Sequence, residues 1–348
     1  MTAISTPRLL LAAGLLASGL GHAAADTQRL CVYDLLGNAG DIANMARDYA
    51  TAAQGFGARI NVKAYTDERV ATEDLRAGQC DALMATGFRT RMFNPVAGAL
   101  DSLGATTVIR NNKVDMAASY EVVQKTAQTF ANPAAAKLMV RGNYEIGGII
   151  PFGVAYPVVN DRKINTVEAL AGKKIAAFDY DKAQAIMIER IGAQPVSADI
   201  TSFAGKFNNG SVDFIAAPAM AYKPLELHRG IGSKGAIQRF PILILTYQVV
   251  LNQSKFPAGF GQKSREYWNG QFSRAMALIQ KAERDVPAAT WGDLTPDNMI
   301  KYTVMLRDAR IDIAEQGVYD KQGLKIIKRV RCSLNAADSE CATNSENW

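Results

Sequence analysis

The chain has 348 residues and a formal net charge of +6, and 48% of its residues are hydrophobic. This length favours two domains with substantial buried cores, and so mild a positive charge argues against nucleic acid as a partner. The only histidines are His22 and His228, which leaves little room for histidine-based catalysis or a histidine-rich metal site.

Residues 1–25 have the pattern of a secretory signal peptide. Arg8 precedes an apolar run from Leu9 to Leu20, and the small residues Ala23–Ala25 come directly before Asp26. We expect cleavage near Ala25–Asp26 and a soluble periplasmic protein, because no later segment is long enough to span a bilayer. Loss of Arg8 lowers the formal charge from +6 to +5.

The mature chain begins with a βαβαβ pattern. Alternating and β-prone residues predict the strands, and capping residues, early acids and terminal glycines predict the helices. The predicted elements are a strand at 29–36, a helix at 41–53, a strand at 59–65, a helix at 66–78 and a strand at 80–86.

The same order returns later in the chain. A strand at 173–179 precedes a helix at 181–191, which Gly192 ends, and a strand, a helix and a strand then follow at 193–197, 200–210 and 212–218. Strands that alternate with helices predict parallel sheets that are covered on both faces.

One short sequence motif occurs in both βαβαβ patterns, as "RAGQCDALMATG" (76–87) and "NNGSVDFIAAPA" (208–219). Each has a glycine, two residues, an aspartate and an apolar strand. We predict that Gly78 and Gly210 are left-handed helix C-caps. Asp81 and Asp213 lie at the starts of their strands, so we assign them to backbone hydrogen bonds and not to catalysis.

The other segments predict how the two patterns are joined. Residues 115–140 are helical with an interruption at Asn132–Pro133, 145–160 and 240–252 cross between lobes, and 261–331 are helical, with Thr295–Pro296 starting a long helix. The predicted fold is α/β and similar to periplasmic binding proteins, with two open parallel-sheet lobes, a cleft, a hinge and C-terminal helices. The predicted domains are lobe I (26–150 and 246–331), lobe II (151–245), and a C-terminal disulfide loop and tail (332–348).

Four cysteines in an exported chain suggest two disulfides. Cys332 and Cys341 are close in sequence and would close a small loop. Cys31 lies in the first predicted strand and Cys80 at the start of the third, so parallel neighbouring strands could bring them together.

Two such lobes place a cleft at the carboxyl ends of their strands, where ligands of open α/β sheets bind. The chain has no P-loop, dinucleotide fingerprint, serine-nucleophile motif or zinc-protease motif, so we expect no enzyme, cofactor or metal site but a solute-binding protein. The candidate ligand-binding residues follow the strands or lie on the crossings: Asp34, Asn38, Tyr65, Thr86, Arg89, Arg91, Phe152, Tyr156, Phe178, Asp179, Met220, Tyr222 and Tyr247.

Two roles remain open for most of these side chains. Arg89 and Arg91 either bind an anionic ligand group or form structural ion pairs and a solvated loop. The aromatic residues either stack on a ligand or pack in the core and hinge.

Several segments together resemble the DctP-type solute-binding proteins of TRAP transporters. These are "INTVEALAGKKIAAFD", "GAQPV", "FNNGSVDFIAAP" and "AYPVVND", and "DERVATEDLRAGQCDALMATGFRTRMFN" resembles a divergent AdeT-like branch. The resemblance covers nearly all of the mature chain. It implies capture of a small organic molecule and delivery to inner-membrane transporter subunits, by a protein that we expect to be a monomer.

The chain departs from this family at one position. The family typically has an arginine in the strand of "GKKIAAF" that pairs with a ligand carboxylate, and here the matching residue is Ala176. We therefore do not transfer a carboxylate specificity. The alternative function is a periplasmic accessory or sensor subunit of an efflux or signalling system, some AdeT-like proteins being described as accessory to drug efflux.

Overall fold

The structure is a computed structural model that describes residues 1–2 and 27–348. The predicted signal peptide and its cleavage point near Ala25–Asp26 therefore lie almost entirely outside the described residues. Among the residues that are described, no helix has the length and apolar character needed to cross a membrane.

The first βαβαβ unit lies at the start of the described chain. It consists of β1 (Thr27–Tyr33), α1 (Asp41–Ala53), β2 (Arg59–Tyr65), α2 (Glu68–Arg76) and β3 (Ala82–Thr86). β1 lies between β2 and β3 and is parallel to both. The bounds of α1 and β2 agree with the sequence prediction, because local alternation and helix-start signals define these elements.

The second βαβαβ unit has the same arrangement. Between the units lie α3 (Gly87–Thr90), α4 (Pro95–Gly98), β4 (Ile109–Arg110), β5 (Lys113–Val114), α5 (Met116–Ala131), β6 (Val140–Arg141) and β7 (Tyr144–Val159). The second unit consists of β8 (Lys174–Phe178), α6 (Lys182–Arg190), β9 (Gln194–Ala198), α7 (Phe203–Asn208) and β10 (Phe214–Ala217). β8 lies between β9 and β10, again parallel to both.

Two long strands connect the units. After α8 (His228–Ile231) and β11 (Ala236–Gln238), the chain enters β12 (Leu243–Asn252), which pairs antiparallel with β7. β12 also pairs with β3, and β7 pairs with β10, so the strands form one continuous hydrogen-bonded series in the order β2-β1-β3-β12-β7-β10-β8-β9. The predicted crossings are thus strands shared by both sheets, which leaves neither sheet with an open edge at the junction.

The C-terminal region is helical, as predicted. It contains α9 (Phe260–Gly270), α10 (Phe272–Asp285), the short β13 (Trp291–Gly292), α11 (Pro296–Glu315) and α12 (Lys321–Leu334). The Thr295 side chain accepts a hydrogen bond at the start of α11, and Pro296 is the first helical residue, which confirms the predicted helix start.

Both predicted disulfides are formed. Cys31 in β1 is joined to Cys80 just before β3, with a Cα–Cα distance of 6.0 Å. Cys332 at the end of α12 is joined to Cys341 in the tail. The tail also lies against α11 through a buried cluster in which Arg310 pairs with Glu346 at 2.6 Å. The division of the chain into the lobes given above stays a prediction.

Candidate functional site

The carboxyl ends of the central strands of both units meet at a small apolar cavity. This inner cavity measures about 40 Å³ and receives side chains from β1, β3, β8 and the segment after β10. Thr86 is its polar contributor among the candidate residues, and Phe152 and Phe178 are its aromatic ones. The other lining residues are Tyr33, Leu35, Phe88, Ile200, Phe203, Ala216, Pro218, Ala221, Leu225 and Leu245.

An irregularity in the long strands directs Phe152 into this cavity. Leu245 pairs with Gly153 and Thr246 with Pro151, so Phe152 is an extra residue in β7. Gly153 has a φ of +123°, a conformation that L side chains rarely adopt. The Phe152 ring packs edge-on against Tyr247, with 4.5 Å between the ring centroids.

A larger cavity lies beside the inner one, and Leu35 and Phe152 line both. This interlobe cavity has a volume of about 220 Å³. The structure brings together here five of the sequence-predicted site residues, namely Asp34, Phe152, Met220, Tyr222 and Tyr247. The remaining lining residues are Leu35, Leu36, Asp41, Ile42, Ala219, Lys223, Pro224, Leu278, Lys281, Ala282 and Asp285.

Asp34 is the buried charged side chain of the interlobe cavity. Its carboxylate accepts hydrogen bonds from the backbone N–H of Leu36 at 2.9 Å and of Ala43 at 3.0 Å. It thereby caps the N-terminus of α1, where Gly40 leaves room for it because a Cβ at that position would overlap the carboxylate. Burial raises the pKa of Asp34 above its ordinary value.

Tyr247 contributes a hydroxyl that has no hydrogen-bond partner among the described residues. The side chain is 1% exposed, and its ring stacks on Tyr33. An unpaired buried hydroxyl is costly, so it is a candidate to bind a ligand group.

Arg89 and Arg91 already have protein partners across the cleft. Arg91 pairs with Asp181 of the second unit at 3.2 Å and donates to the carbonyl oxygen of Asp101 at 2.9 Å. The guanidinium carbon of Arg89 lies 3.5 Å from the ring centroid of Tyr180. These contacts hold the two units together, and the role of both arginines in ligand binding stays a prediction.

The sequence analysis missed Glu68, the centre of these contacts between the units. Its fully buried carboxylate accepts hydrogen bonds from Thr86 at 2.8 Å and from Tyr180 at 2.5 Å, and lies 3.8 Å from Arg89. Burial raises the pKa of Glu68. In the sequence the only signal at Glu68 is that of an acid in the first turn of a helix, and its partner Tyr180 is 112 residues away.

Besides Arg89 and Arg91, four other predicted site residues line neither cavity. Asn38 and Asp179 are exposed. Tyr65 donates its hydroxyl hydrogen bond to Asp74, and Tyr156 donates to Glu283 at 2.8 Å. Both tyrosines therefore bind acids of neighbouring helices, and a role in ligand binding stays a prediction for all four.

The two aspartates of the repeated sequence motif have the predicted structural role. Asp81 accepts a hydrogen bond from the backbone N–H of Arg29 at 2.8 Å, and Asp213 accepts one from Lys174 at 2.9 Å. Gly78 and Gly210 have φ values of +72° and +76°, as expected for left-handed caps.

Metal-binding potential is confined to one group in the described part of the chain. Cys31, Cys80 and Asp74 lie close enough together to ligate an ion. Both sulfurs are joined in the disulfide, so neither is a thiolate that could bind a metal.

Comparisons with known proteins agree with this architecture. A family model described as "Solute-binding protein AdeT 1/2" matches residues 50–346. The chain is 43% identical to "Probable solute-binding protein AdeT1" of Acinetobacter baumannii over 315 residues, which is 90% of this chain and 100% of that protein.

Solved structures with the same fold are TRAP periplasmic solute-binding proteins. One from Desulfovibrio salexigens, with bound orotic acid, aligns with a TM-score of 0.71 at 14% identity, covering 89% of this chain and 99% of that one. The ectoine-binding protein of the TeaABC transporter of Halomonas elongata aligns with a TM-score of 0.66 at 14% identity, covering 89% and 100%.

Proposed function

The chain belongs to the AdeT 1/2 family of solute-binding proteins, and we propose that it captures a small organic molecule between its two βαβαβ units. The observation that carries this proposal is the interlobe cavity, which lies at the junction of the two sheets and is lined by residues of both units. Its volume of about 220 Å³ suits a small metabolite. No catalytic role is proposed for any residue.

The ligand would also stabilise the closed arrangement of the units. The contacts of Arg91 with Asp181 and of Glu68 with Tyr180 cross the cleft near the inner cavity. A molecule that contacts Asp34 in the first unit and Met220 in the second would add to these contacts. Binding and closure would then be coupled, as in hinge-closing binding proteins.

The signal-peptide pattern supports a periplasmic location, and the TRAP-type fold supports delivery of the ligand to an inner-membrane transporter of TRAP type. The structural neighbours bind small organic compounds, orotic acid in one case and ectoine in another. We propose a ligand of comparable size for this chain.

The test is a thermal-shift screen of the mature protein against a broad library of small metabolites, followed by calorimetry. A ligand at a hundredfold excess over its dissociation constant is expected to stabilise the protein by about 2.7 kcal/mol. Ala282→Trp, which fills the interlobe cavity from α10, is expected to abolish the shift.

Ala277→Trp is the matched control, because Ala277 is exposed on the same helix and does not line the cavity. This variant is expected to bind as the wild type does. A ligand that binds equally well to the Ala282→Trp variant would place binding elsewhere and contradict the proposal.

A further inference from the structure

We infer that the interlobe cavity selects a small organic cation with an apolar body, an inference that rests on the proposed function. Three features carry it: a buried carboxylate without a cationic partner, an unpaired buried hydroxyl in the same cavity, and the exposure of both lysines among the described residues that line the cavity.

The carboxylate is that of Asp34, which is 5% exposed. The groups that act on it are neutral backbone N–H donors and another carboxylate, Asp41. No lysine or arginine of the described chain forms an ion pair with Asp34. A buried carboxylate is stabilised when a cation pairs with it, so an ammonium or amidinium group in the cavity would supply what the protein lacks.

The hydroxyl of Tyr247 offers a second polar contact. It is buried and unpaired, and Tyr247 and Asp34 both line the interlobe cavity. The rings of Phe152, Tyr222 and Tyr247 line the same cavity, and aromatic faces attract organic cations.

Anionic ligand groups would find no buried cation among the described residues that line the interlobe cavity. The helix N-termini that could bind an anion are capped by the protein's own acids, α1 by Asp34, α2 by Asp67 and α6 by Asp181. Arg91 pairs with Asp181, and Arg89 packs on the ring of Tyr180 beside Glu68. The buried Nε of Arg89 has no hydrogen-bond partner among the described residues, but neither arginine lines the interlobe cavity.

The lysines at the cavity rim do not reverse this preference. Lys223 pairs with Asp285 at 3.0 Å. Lys281 and Asp41, which also line the cavity, are both exposed, so solvent screens their charges. The buried charge of Asp34 therefore dominates.

The apolar body of the ligand would extend toward the inner cavity. Leu35 and Phe152 line both cavities, and Phe178 and Leu245 lie further in. None of the described residues that line the inner cavity is charged, which favours an aromatic or aliphatic group there.

The test uses two probes of nearly equal size, phenethylammonium and 3-phenylpropionate, in calorimetric titrations of the mature protein at low ionic strength. We expect the cation to bind at least about tenfold more tightly than the anion, the ratio that one hydrogen bond to a charged group supplies. Asp34→Asn is expected to weaken the cation about tenfold, and Tyr247→Phe about threefold, relative to their controls.

Each variant has a matched control. Asp67→Asn removes a capping carboxylate from α2, outside both cavities, and reports the effect of losing a helix cap. Tyr120→Phe removes another buried, unpaired hydroxyl that lines neither cavity. Both controls are expected to bind the cation as the wild type does.

Tighter binding of 3-phenylpropionate, or equal cation affinity in the Asp34→Asn and Asp67→Asn variants, would overturn the ligand class. Binding of neither probe at millimolar concentration would overturn it as well. The proposed function fails separately, when no library compound binds the wild type or when Ala282→Trp leaves binding intact.

Discussion

The two βαβαβ units are alike where their strands begin and unlike where they end. At the beginning, Asp81 and Asp213 make the same hydrogen bond to the N–H of the neighbouring strand, at 2.8 and 2.9 Å, after glycines with nearly equal φ values. This edge has the same task in both units, which is to pass the chain from a helix into a third parallel strand.

At the other edge the units differ in chemistry. The first unit contributes charged groups, Glu68, Asp34 and Arg89, whereas the second contributes mainly apolar and aromatic ones, such as Phe178 and Met220. The difference teaches that the strand starts are constrained by folding, whereas the strand ends, where we propose that the ligand binds, differ between the units.

The largest expected effect comes from removing the disulfide of the first unit, which has no counterpart in the second unit. Cys31 and Cys80 close a loop with a sequence separation of 49, and the matching positions of the second unit are Ala176 and Val212. Replacing both cysteines with alanine is expected to lower the free energy of unfolding by about 4 kcal/mol in the loop-entropy account. Denaturant unfolding measures the loss.

The tail disulfide is the control for this variant. Cys332 and Cys341 have a sequence separation of only 9, so replacing this pair is expected to cost less, about 2–3 kcal/mol. Hydrogen exchange is expected to show weaker protection in β1 and unchanged protection in β8 when the first pair is removed. Equal weakening of both strands would contradict an effect confined to the first unit.

The next effect concerns the charge at the strand ends. Glu68→Ala leaves Arg89 buried without its carboxylate and removes the acceptor of Tyr180, and we expect a loss of about 3 kcal/mol in unfolding free energy. Glu73→Ala on the same helix is the control, because Glu73 is exposed and its ion pair contributes little. A Glu68→Ala loss as small as that of the control would show that the contact between the units is energetically unimportant.

The buried carboxyl of Asp101, in the first unit, is expected to make the unfolding free energy depend on pH. It lies beneath Gly87 at the end of β3, accepts two hydrogen bonds from Thr246, and is fully buried, which raises its pKa to about 7. Because the folded state holds this proton more tightly than the unfolded state, the contribution is complete at low pH and is lost as the pH rises through about 7.

The measurement compares the wild type with Asp101→Asn, which resembles the protonated form. Between pH 5 and pH 8 the wild type is expected to lose about 2 kcal/mol of unfolding free energy relative to the variant. Urea unfolding at both pH values checks this. Parallel pH profiles of the two proteins would mean that Asp101 is ionised throughout this range.

A smaller effect, on the unfolding free energy, is expected from the aspartates that the two units have in common. Asp81→Ala and Asp213→Ala each remove a charged acceptor from a backbone N–H, and each is expected to cost about 1–2 kcal/mol. The two losses are expected to be similar and to add in the double variant, since the sites are separated by intervening strands. Clearly different losses of unfolding free energy in the two single variants would show that Asp81 and Asp213 do not have equivalent roles.

The smallest effect comes from the glycines. Gly78→Ala and Gly210→Ala place a Cβ in open space but at positive φ, so each is expected to cost about 1 kcal/mol from backbone strain alone. Gly205→Ala is the control: it lies within α7, has no positive φ and is equally uncrowded, and it is expected to be neutral or stabilising. Thermal unfolding of the three variants distinguishes strain from crowding.

Much of the fold could be predicted from the sequence because its signals are local. Alternation defined β2, helix-start and helix-end residues defined α1, and the position of Asp81 and Asp213 at their strand starts indicated their hydrogen bonds. The cysteine pairs followed from strand order and short separation. Such signals involve neighbouring residues or adjacent parallel strands, whose geometry hardly varies.

The candidate site was predicted only in part, because a strand end does not reveal which face a side chain will occupy. Tyr65 ends β2 and Asp34 directly follows β1, yet the Tyr65 hydroxyl contacts Asp74 of α2 whereas Asp34 lines the interlobe cavity. Successive residues of a strand point to opposite faces, so a shift of one residue reverses the assignment. The extra residue Phe152 in β7 is such a shift, and its pairing with β12 is not visible in the sequence.

The sequence by itself thus determined the two units and their order, and it indicated that the chain belongs to a solute-binding family. Only the tertiary structure decided which charges remain available for a ligand. From the sequence, both a ligand-binding role and structural ion pairs were open for Arg89 and Arg91. In the fold, Asp181 pairs with Arg91 and the ring of Tyr180 packs against Arg89, each partner lying 90 residues or more away. Asp34 has no cationic partner among the described residues, because folding surrounds it with backbone N–H groups instead. Pairings over such distances depend on how the units pack, which local sequence patterns do not encode.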